Sequence, residues 1–218
     1  RAYVYERDAS GWSETAILLP DDSAQYFGWA VDVNAAGDVI VVGTNYDQLG
    51  YVYVFTKDVS TTPASDWTLA QKLSPDQPTS GQGFGFSVAI DKDDDTIVVG
   101  AYRTELDVDE TTSYTSAGAV YVFARDTPGS FASNWTEVGC PTNCEKGWIV
   151  PDEPAGTSLT EYRFGYSIAI DGGTIVVRSS KHFNSDSDAV SDSEAVWVYT
   201  RKVTGDAQSA WSRAALLT

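Results

Sequence analysis

The chain has 218 residues, of which 42% are hydrophobic and 12% aromatic, enough apolar mass to form a folded core. It carries 31 acidic and 14 basic residues, giving a formal net charge of −17. Binding to nucleic acid is not expected, because Lys and Arg supply the affinity for a phosphate backbone. No apolar run approaches the ~18 residues of a membrane-spanning helix. Arg1 opens a chain without Met, so the sequence is interpreted as a mature or excised piece of a longer precursor.

Short β-strands separated by turn residues are predicted along the whole chain. The first two cover residues 2–5 and 16–19, with Trp12 between them. A first full unit has strands at residues 27–33, 39–43, 51–55 and 69–73, with Trp67 before the last. A second unit has strands at residues 84–91, 96–101 and 119–123, followed by Trp135. A third unit has strands at residues 164–171, 174–177, 195–199 and 214–217, with Trp211 before the last.

These strands form three full units and one half unit, and repetition of this kind indicates an array such as a propeller. One domain is predicted over 1–218, made of a half repeat at 1–24 and repeats at 25–80, 81–160 and 161–218. The second strand of each unit is a continuous β-branched run, as expected for an inner strand covered on both faces. The fold class is therefore all-β: four-stranded antiparallel blades in about three and a half repeats, forming an incomplete propeller or part of a larger one.

The repeated motifs resemble a known family. Phe84-Gly85, Ser87-Val88-Ala89-Ile90-Asp91 and Thr96-Ile97-Val98-Val99-Gly100-Ala101 resemble the FG-GAP repeats of integrin α-subunit-like β-propellers. The resemblance covers essentially the whole chain and is closest to the compact variety found in large secreted or surface proteins of bacteria and microbial eukaryotes. It implies an extracellular or cell-surface protein with a role in adhesion or another interaction. The third unit departs from the pattern, because Arg178-Ser179-Ser180 stands where the others have Gly-Thr or Gly-Ala.

The recurring aromatic residues are expected to pack between blades. Phe27, Phe84 and Phe164 lead the first strand of their units and are predicted to fill the gap between neighbouring blades. The glycine after each of them allows close approach of two backbones or a sharp turn. One tryptophan recurs after the aromatic strand of every unit, which favours packing over sugar stacking. These residues are Trp12, Trp67, Trp135 and Trp211.

Calcium is the candidate ion, and the turns between the first and second strands are the first candidate sites. Integrin-like propellers often bind calcium at these turns, so the resemblance implies ligands there. The second unit offers Asp91, Asp93 and Asp95, with Thr96 in place of the expected glycine. The first unit offers Asp32, Asn34 and Asp38. The alternative is that both are solvated hairpin loops, since the third copy, residues 171–174, is a plain turn.

The loops between the second and third strands are the second candidate sites. Oxygen-bearing side chains stand at relative positions one, three, five and nine in two of these loops, a spacing that allows a loop to wrap Ca²⁺. In the third unit they are Asn184, Asp186, Asp188 and Asp192; in the second they are Glu105, Asp107, Asp109 and Ser113. Neither loop has glycine at position six, and the alternative is a hydrated acidic loop.

Cysteine and glycosylation motifs suit a secreted protein. Cys140 and Cys144 flank a Pro-containing turn, so a disulfide closing a small ring is predicted, with two free thiols as the alternative. Zinc is disfavoured, because a closed site needs four ligands and His182 is the only histidine. Asn134-Trp135-Thr136 is an acceptor sequence for N-glycosylation in a secreting eukaryote.

The sequence favours a non-catalytic extracellular or cell-surface module that binds protein partners or assembles with itself. No nucleophile elbow, phosphate-binding loop or His/Cys cluster is present, so the chain is not expected to be an enzyme. The alternative function is a glycan-binding module or an accessory domain of a secreted enzyme. About three and a half units are too few to close a propeller, so we expect open blade edges that pair with missing repeats or with another subunit.

Overall fold

The structure is a computed structural model. It describes residues 1–45, 49–58, 66–91, 95–107, 111–128, 130, 133–138, 148–151, 158–180, 194–201 and 211–217. These residues form sixteen β-strands and no helix. The all-β prediction is therefore confirmed, and within the described ranges no helix suitable for crossing a bilayer is found.

The first sheet contains only two strands. Strands β1 (Ala2–Asp8) and β2 (Gly11–Leu18) pair antiparallel and pair with no other strand of the described chain. The side chain of Asp8 closes the turn between them, because its Oδ1 accepts hydrogen bonds from the amides of Ser10 at 2.7 Å and Gly11 at 3.1 Å. We refer to this sheet as the half blade.

Three four-stranded antiparallel sheets follow, each with its strands side by side in chain order. Blade 1 contains β3 (Ala30–Val33), β4 (Val39–Gly43), β5 (Val52–Thr56) and β6 (Thr68–Leu73). Blade 2 contains β7 (Phe84–Ile90), β8 (Thr96–Ala101), β11 (Ala119–Arg125) and β12 (Trp135–Glu137), with a small hairpin of β9 (Leu106–Asp107) and β10 (Ser113–Tyr114) after β8. Blade 3 contains β13 (Ser167–Asp171), β14 (Thr174–Ser180), β15 (Glu194–Arg201) and β16 (Trp211–Leu217).

The half blade corresponds to the two outer strands of a full blade. Its strands β1 and β2 occupy the places of β5 and β6, and a β-bulge interrupts the pairing at the same point in three sheets. The bulge lies between Val4 and Tyr5, between Val54 and Phe55, and between Val198 and Tyr199. The described residues therefore form one two-stranded and three four-stranded sheets, in agreement with the predicted fold class.

The core lies between successive blades. One buried cluster joins Val41 and Val54 of blade 1 to Ile97 and Tyr121 of blade 2, and a second joins blade 2 to blade 3. A third joins the half blade to blade 1 through Ala2 and Leu18. Strand β8 is buried along its whole length, as its β-branched sequence predicts. Burial of each such aliphatic side chain stabilises the fold by about 1.5–3 kcal/mol.

The phenylalanines of the three Phe-Gly motifs are buried, as predicted. Phe84 is fully buried in the cluster between blades 1 and 2, and Phe27 and Phe164 are also buried. Each ring makes edge-to-face contacts with two aromatic rings on the third strand of its own blade. The centroid distances are 5.3 and 6.2 Å for Phe27 with Tyr53 and Phe55, 5.3 and 6.1 Å for Phe84 with Tyr121 and Phe123, and 5.1 and 6.1 Å for Phe164 with Trp197 and Tyr199.

Glycine at the end of the second strand lets neighbouring blades approach closely. A Cβ on Gly43 would lie 2.2 Å from the carbonyl oxygen of Gly85, and a Cβ on Gly100 would lie 2.1 Å from that of Gly165. Arg178 occupies the same register position in blade 3, opposite Ser167. This blade is the last of the described array, which explains why a side chain is tolerated there.

The tryptophan prediction is correct for two residues and wrong for one. Trp135 and Trp211 are buried beneath the guanidinium groups of Arg125 and Arg201, which lie 4.4 and 4.7 Å from the ring centroids. Trp67 is half-buried. Trp12 is 70% exposed, contrary to the packing prediction. The reason is its place on the outer strand of the half blade, which has no preceding sheet within the described residues.

The array is open at both ends. In the described part of the chain, the half blade does not pair with blade 3, so no ring is closed. At the blade 3 end, Val176 is 37% exposed, whereas Val41 and Val98 at the same position of blades 1 and 2 are fully buried. Leu217 is 57% exposed, whereas its counterpart Leu73 is 2% exposed. The prediction of an unclosed propeller is confirmed for these residues.

Candidate functional site

An apolar surface at the half-blade end is the largest departure from the repeat pattern. Tyr3 and Tyr5 of β1 are 52% and 54% exposed, and Val31 and Val33 of β3 are 58% and 45% exposed. They border a groove of about 620 Å³ between the half blade and blade 1, which Ile40 and Trp67 also line. We call these four residues, Tyr3, Tyr5, Val31 and Val33, the open face. Exposed apolar side chains that border a groove mark interaction sites in soluble proteins.

Within the residues that the structure describes, the half blade has no inner strands to cover the open face. Tyr3 and Tyr5 alternate along β1 and so lie on one face of the strand. The free edge of β1 is the edge through which β5, β11 and β15 pair with the second strand of their own blades. Val31 and Val33 lie on the first strand of blade 1, where the corresponding Val88 and Ile90 of blade 2 are 9% and 2% exposed.

A second surface feature is a line of aromatic rings across the three blades. Trp29, Phe86 and Tyr166 each follow the glycine of a Phe-Gly motif. The ring centroids of Trp29 and Phe86 are 5.6 Å apart, and those of Phe86 and Tyr166 are 4.9 Å apart. Trp29 is 52% exposed, and the other two rings are half-buried. We call these three rings the aromatic line.

The first-unit candidates for calcium hold their own hairpin together. Asn34 Oδ1 accepts hydrogen bonds from the amides of Asp38 and Val39, each at 3.1 Å, and Asn34 Nδ2 donates to Asp38 Oδ1 at 2.7 Å. Asp32 Oδ2 accepts from the amide of Ile90 in blade 2 at 2.9 Å. The structure therefore uses these three residues for the turn and for a link between blades.

The second-unit candidates have similar structural contacts. Asp91 is buried, and its Oδ1 accepts a hydrogen bond from the amide of Gly172 in blade 3 at 3.1 Å. Asp95 Oδ1 forms an ion pair with Arg125 Nε at 2.8 Å, with only 3% of the arginine side chain exposed. Asp93 lies outside the described residues. Among the residues that are described, no group of three or more His, Cys, Asp or Glu side chains is arranged to hold a metal ion.

Most of the other candidate residues lie outside the described ranges. In the loop after β8, Glu105 Oε1 accepts a hydrogen bond from Ser113 Oγ at 2.6 Å, and Asp107 ends β9. The candidates outside the described residues are Asp109, Asn184, Asp186, Asp188, Asp192, Cys140, Cys144 and His182. The calcium and disulfide predictions for these residues stay predictions.

The glycosylation candidate is accessible. Asn134 is exposed, and its backbone carbonyl accepts a hydrogen bond from the amide of Asp126 at 2.9 Å. Thr136 of the same acceptor sequence is also exposed, and its hydroxyl donates to Asp126 Oδ1 at 2.7 Å. The exposed position of both residues is compatible with the predicted modification, which stays a prediction.

Sequence reasoning missed a recurring cation at the end of the third strand. Lys57, Arg125 and Arg201 each lie over the tryptophan at or just before the start of the next strand. Their backbone amides donate to the carbonyls of Asp38, Asp95 and Gly173 in the preceding turn, at 2.8–3.0 Å. The available signal was the repeated spacing of a basic residue after each aromatic strand. These residues connect the turn to the outer strand and belong to the scaffold.

A titratable group between blades 1 and 2 was also missed. Burial raises the pKa of Glu137 to about 7. Its Oε2 accepts a hydrogen bond from the amide of Asp76 at 2.9 Å, which opposes that rise, while the negative charge of Asp76 adds to it. Glu137 is part of the packing between the outer strands of two blades.

The repeated sheets match a known family of repeats. A family model described as FG-GAP repeat matches residues 12–55 and 67–123. The first match begins near the start of β2 and the second just before β6, and they end in β5 and β11, the third strands of blades 1 and 2. A search of curated proteins finds no match. The third blade repeats the same strand order beyond the matched residues. The chain therefore contains FG-GAP repeats over residues 12–55 and 67–123, and its four-stranded sheets are blades of an incomplete β-propeller.

Proposed function

We propose that this chain is a non-catalytic module of an extracellular or cell-surface protein and binds a protein partner through the open face. The observation that carries the proposal is the exposure of Tyr3, Tyr5, Val31 and Val33, between 45% and 58%. Leaving such side chains in water is unfavourable, and a partner that covers them gains about 25 cal/mol for each Å² of apolar area buried. The free edge of β1 adds backbone groups able to pair with an incoming strand.

An extracellular setting is supported by the family resemblance, the accessible Asn134 and the Cys140–Cys144 spacing. Calcium remains a proposed stabilising ion. The described candidate side chains in the turns between the first and second strands already accept hydrogen bonds or form ion pairs within the chain. The loop at residues 184–192 is therefore the calcium site to test. The absence of catalytic activity is also a proposal, supported by the single histidine and the lack of a nucleophile motif in the sequence.

Selection from a displayed polypeptide library tests the main proposal without requiring the identity of the partner. Binders selected on the chain are expected to lose affinity for Val31→Asp, which places a charge in the open face. Val176→Asp is the matched control, because it makes the same change on an exposed valine at the opposite end of the array. The proposal would be contradicted by binders whose affinity does not change with Val31→Asp, or by a selection that yields no binders.

Glycan binding is the second candidate, and the aromatic line favours it. Trp29 is half exposed at one end of the line, and exposed aromatic rings offer stacking surfaces to ligands. A glycan array tests this function: binding that is lost in Trp29→Ala and retained in Val31→Asp is the expected result. An array without signal leaves the protein-binding proposal as the one supported.

A further inference from the structure

The outer strands of blades 1 and 2 are joined by a glutamine side chain. Gln71 of β6 places its carboxamide against the backbone of Trp135, the first residue of β12. Gln71 Nε2 donates a hydrogen bond to the carbonyl of Trp135 at 2.9 Å, and Gln71 Oε1 accepts one from its amide at 2.7 Å. A second link runs from the amide of Asp76 to Glu137 Oε2 at 2.9 Å. These two links close the gap between the outer strands of the two blades.

The half blade and blade 1 carry different residues at the positions of both links. The register places Ala16 of β2 where β6 has Gln71, and Leu69 of β6 where β12 has Glu137. Alanine is too short to reach the backbone of the next blade, and leucine has no side-chain atom that accepts a hydrogen bond. Neither link can therefore form between these two sheets.

The backbone groups that such a link would join are nevertheless present. Trp67 lies just before β6 and corresponds to Trp135. Among the residues that the structure describes, none forms a hydrogen bond with the backbone amide or carbonyl of Trp67. A groove of about 390 Å³ lies here, and its lining includes Ala16, Leu18, Trp67 and Leu69. We call these four residues the outer groove. The strands on its two sides, β2 and β6, are already paired with β1 and β5.

We propose that the outer groove binds a glutamine side chain of a protein partner, whose carboxamide joins the backbone of Trp67 as Gln71 joins that of Trp135. A primary carboxamide carries a donor and an acceptor side by side, so it serves the carbonyl and the amide of one residue together. The aliphatic part of the glutamine lies against Leu18 and Leu69. This inference goes beyond the proposed function, because the outer groove and the open face have no residue in common.

Other polar groups satisfy the same backbone less well. A carboxylate has no hydrogen to donate to the carbonyl of Trp67. A secondary amide, such as the N-acetyl group of a sugar, is trans and directs its N–H and C=O to opposite sides. The pair of hydrogen bonds at Trp135 is made by a primary carboxamide, which is why glutamine is the side chain inferred.

Ala16→Gln tests the geometry of the outer groove without any partner, because it supplies the carboxamide from β2 itself. The melting temperature is expected to rise by about 2 to 4 °C, since two hydrogen bonds are gained. Ala16→Glu is the matched control: its side chain has the same length but lacks the donor, and no rise is expected. An unchanged melting temperature with Ala16→Gln, or an equal rise with Ala16→Glu, overturns the proposal.

A library of displayed random peptides tests the partner's chemistry. Peptides are selected on the wild-type chain and counter-selected on the Ala16→Gln variant, in which the groove is filled from within. The selected peptides are expected to share a glutamine at one position, and titration calorimetry is expected to show an affinity about tenfold or more lower when that glutamine is replaced by alanine or glutamate. A selection without a shared glutamine, or one that yields no peptide able to distinguish the two proteins, overturns the proposal.

The open-face variant separates this result from the proposed function. Peptides bound in the outer groove are expected to lose affinity with Ala16→Gln and to keep it with Val31→Asp. If every selected peptide responds only to Val31→Asp, the outer groove is overturned and the proposed function stands. If every selected peptide responds only to Ala16→Gln, the outer groove stands without the open face.

Discussion

Gly100→Ala is expected to destabilise the protein through the contact between blades 2 and 3. The added Cβ would lie 2.1 Å from the carbonyl oxygen of Gly165 and 2.2 Å from Ser87 Oγ, whereas ordinary contacts begin at 3.4 Å. The two backbones must therefore separate by roughly 1 Å in a close-packed interface. That movement also weakens the 2.8 Å hydrogen bond from Ser87 Oγ to the Gly165 carbonyl. Overpacking of this kind costs about 2 to 3 kcal/mol.

The cost is measured as the change in the free energy of unfolding in urea and as the shift in melting temperature. A loss of about 2 to 3 kcal/mol corresponds to a fall of about 4 to 12 °C for a chain of this size. Gly173→Ala is the matched control, because its Cβ meets only Arg201 Cβ at 3.5 Å and its φ is not in the left-handed region. Equal effects of the two substitutions would refute the argument from close approach.

Three further predictions concern single contacts and the candidate ion. Because burial raises the pKa of Glu137 to about 7, its contribution to stability is fully present below pH ~4.5 and is lost as the pH rises through 7. The Glu137→Gln variant is therefore expected to have the same free energy of unfolding as the wild type at pH 4. At pH 8 it is expected to be more stable by about 1 to 2 kcal/mol, after allowance for solvent screening. Urea titrations at both pH values measure this difference. Asp95→Asn leaves the buried Arg125 without its ion pair and is expected to lower the free energy of unfolding by about 3 kcal/mol. Glu6→Ala removes the more exposed ion pair with Lys57 and is expected to lower it by less than about 1 kcal/mol. Equal losses for the two substitutions would contradict the argument from burial. Millimolar Ca²⁺ is expected to raise the melting temperature if the acidic loops bind it, and a melting curve that does not move with Ca²⁺ removes that proposal.

The repeat unit and its strands were predictable from sequence because they depend on local patterns. The β-branched runs at residues 39–42 and 96–99, bounded by turn residues, favour extended backbone whatever surrounds them. The burial of Phe27, Phe84 and Phe164 followed from their recurrence at one place in each unit, which only a repeated packing environment explains.

The candidate ligand residues were identified by type, but their contacts were not predictable. Asp32 accepts a hydrogen bond from Ile90, which is 58 residues away, and Asp91 accepts one from Gly172, which is 81 residues away. Short acidic side chains in turns suit a cation and an inter-blade hydrogen bond equally well, so residue type cannot distinguish them. The distinction needs the position of the neighbouring blade.

Sequence by itself determined which residues are equivalent, and only the tertiary structure decided which of the equivalent residues are covered. Tyr3 and Tyr53 occupy the same register position, and Trp12 and Trp135 open equivalent strands, yet one of each pair is exposed and the other is buried. The same holds for Arg178, which is tolerated where Gly43 and Gly100 are required. Strand formation depends on neighbours within a few residues, whereas burial depends on whether another blade lies against the face, and that is a property of the assembled array.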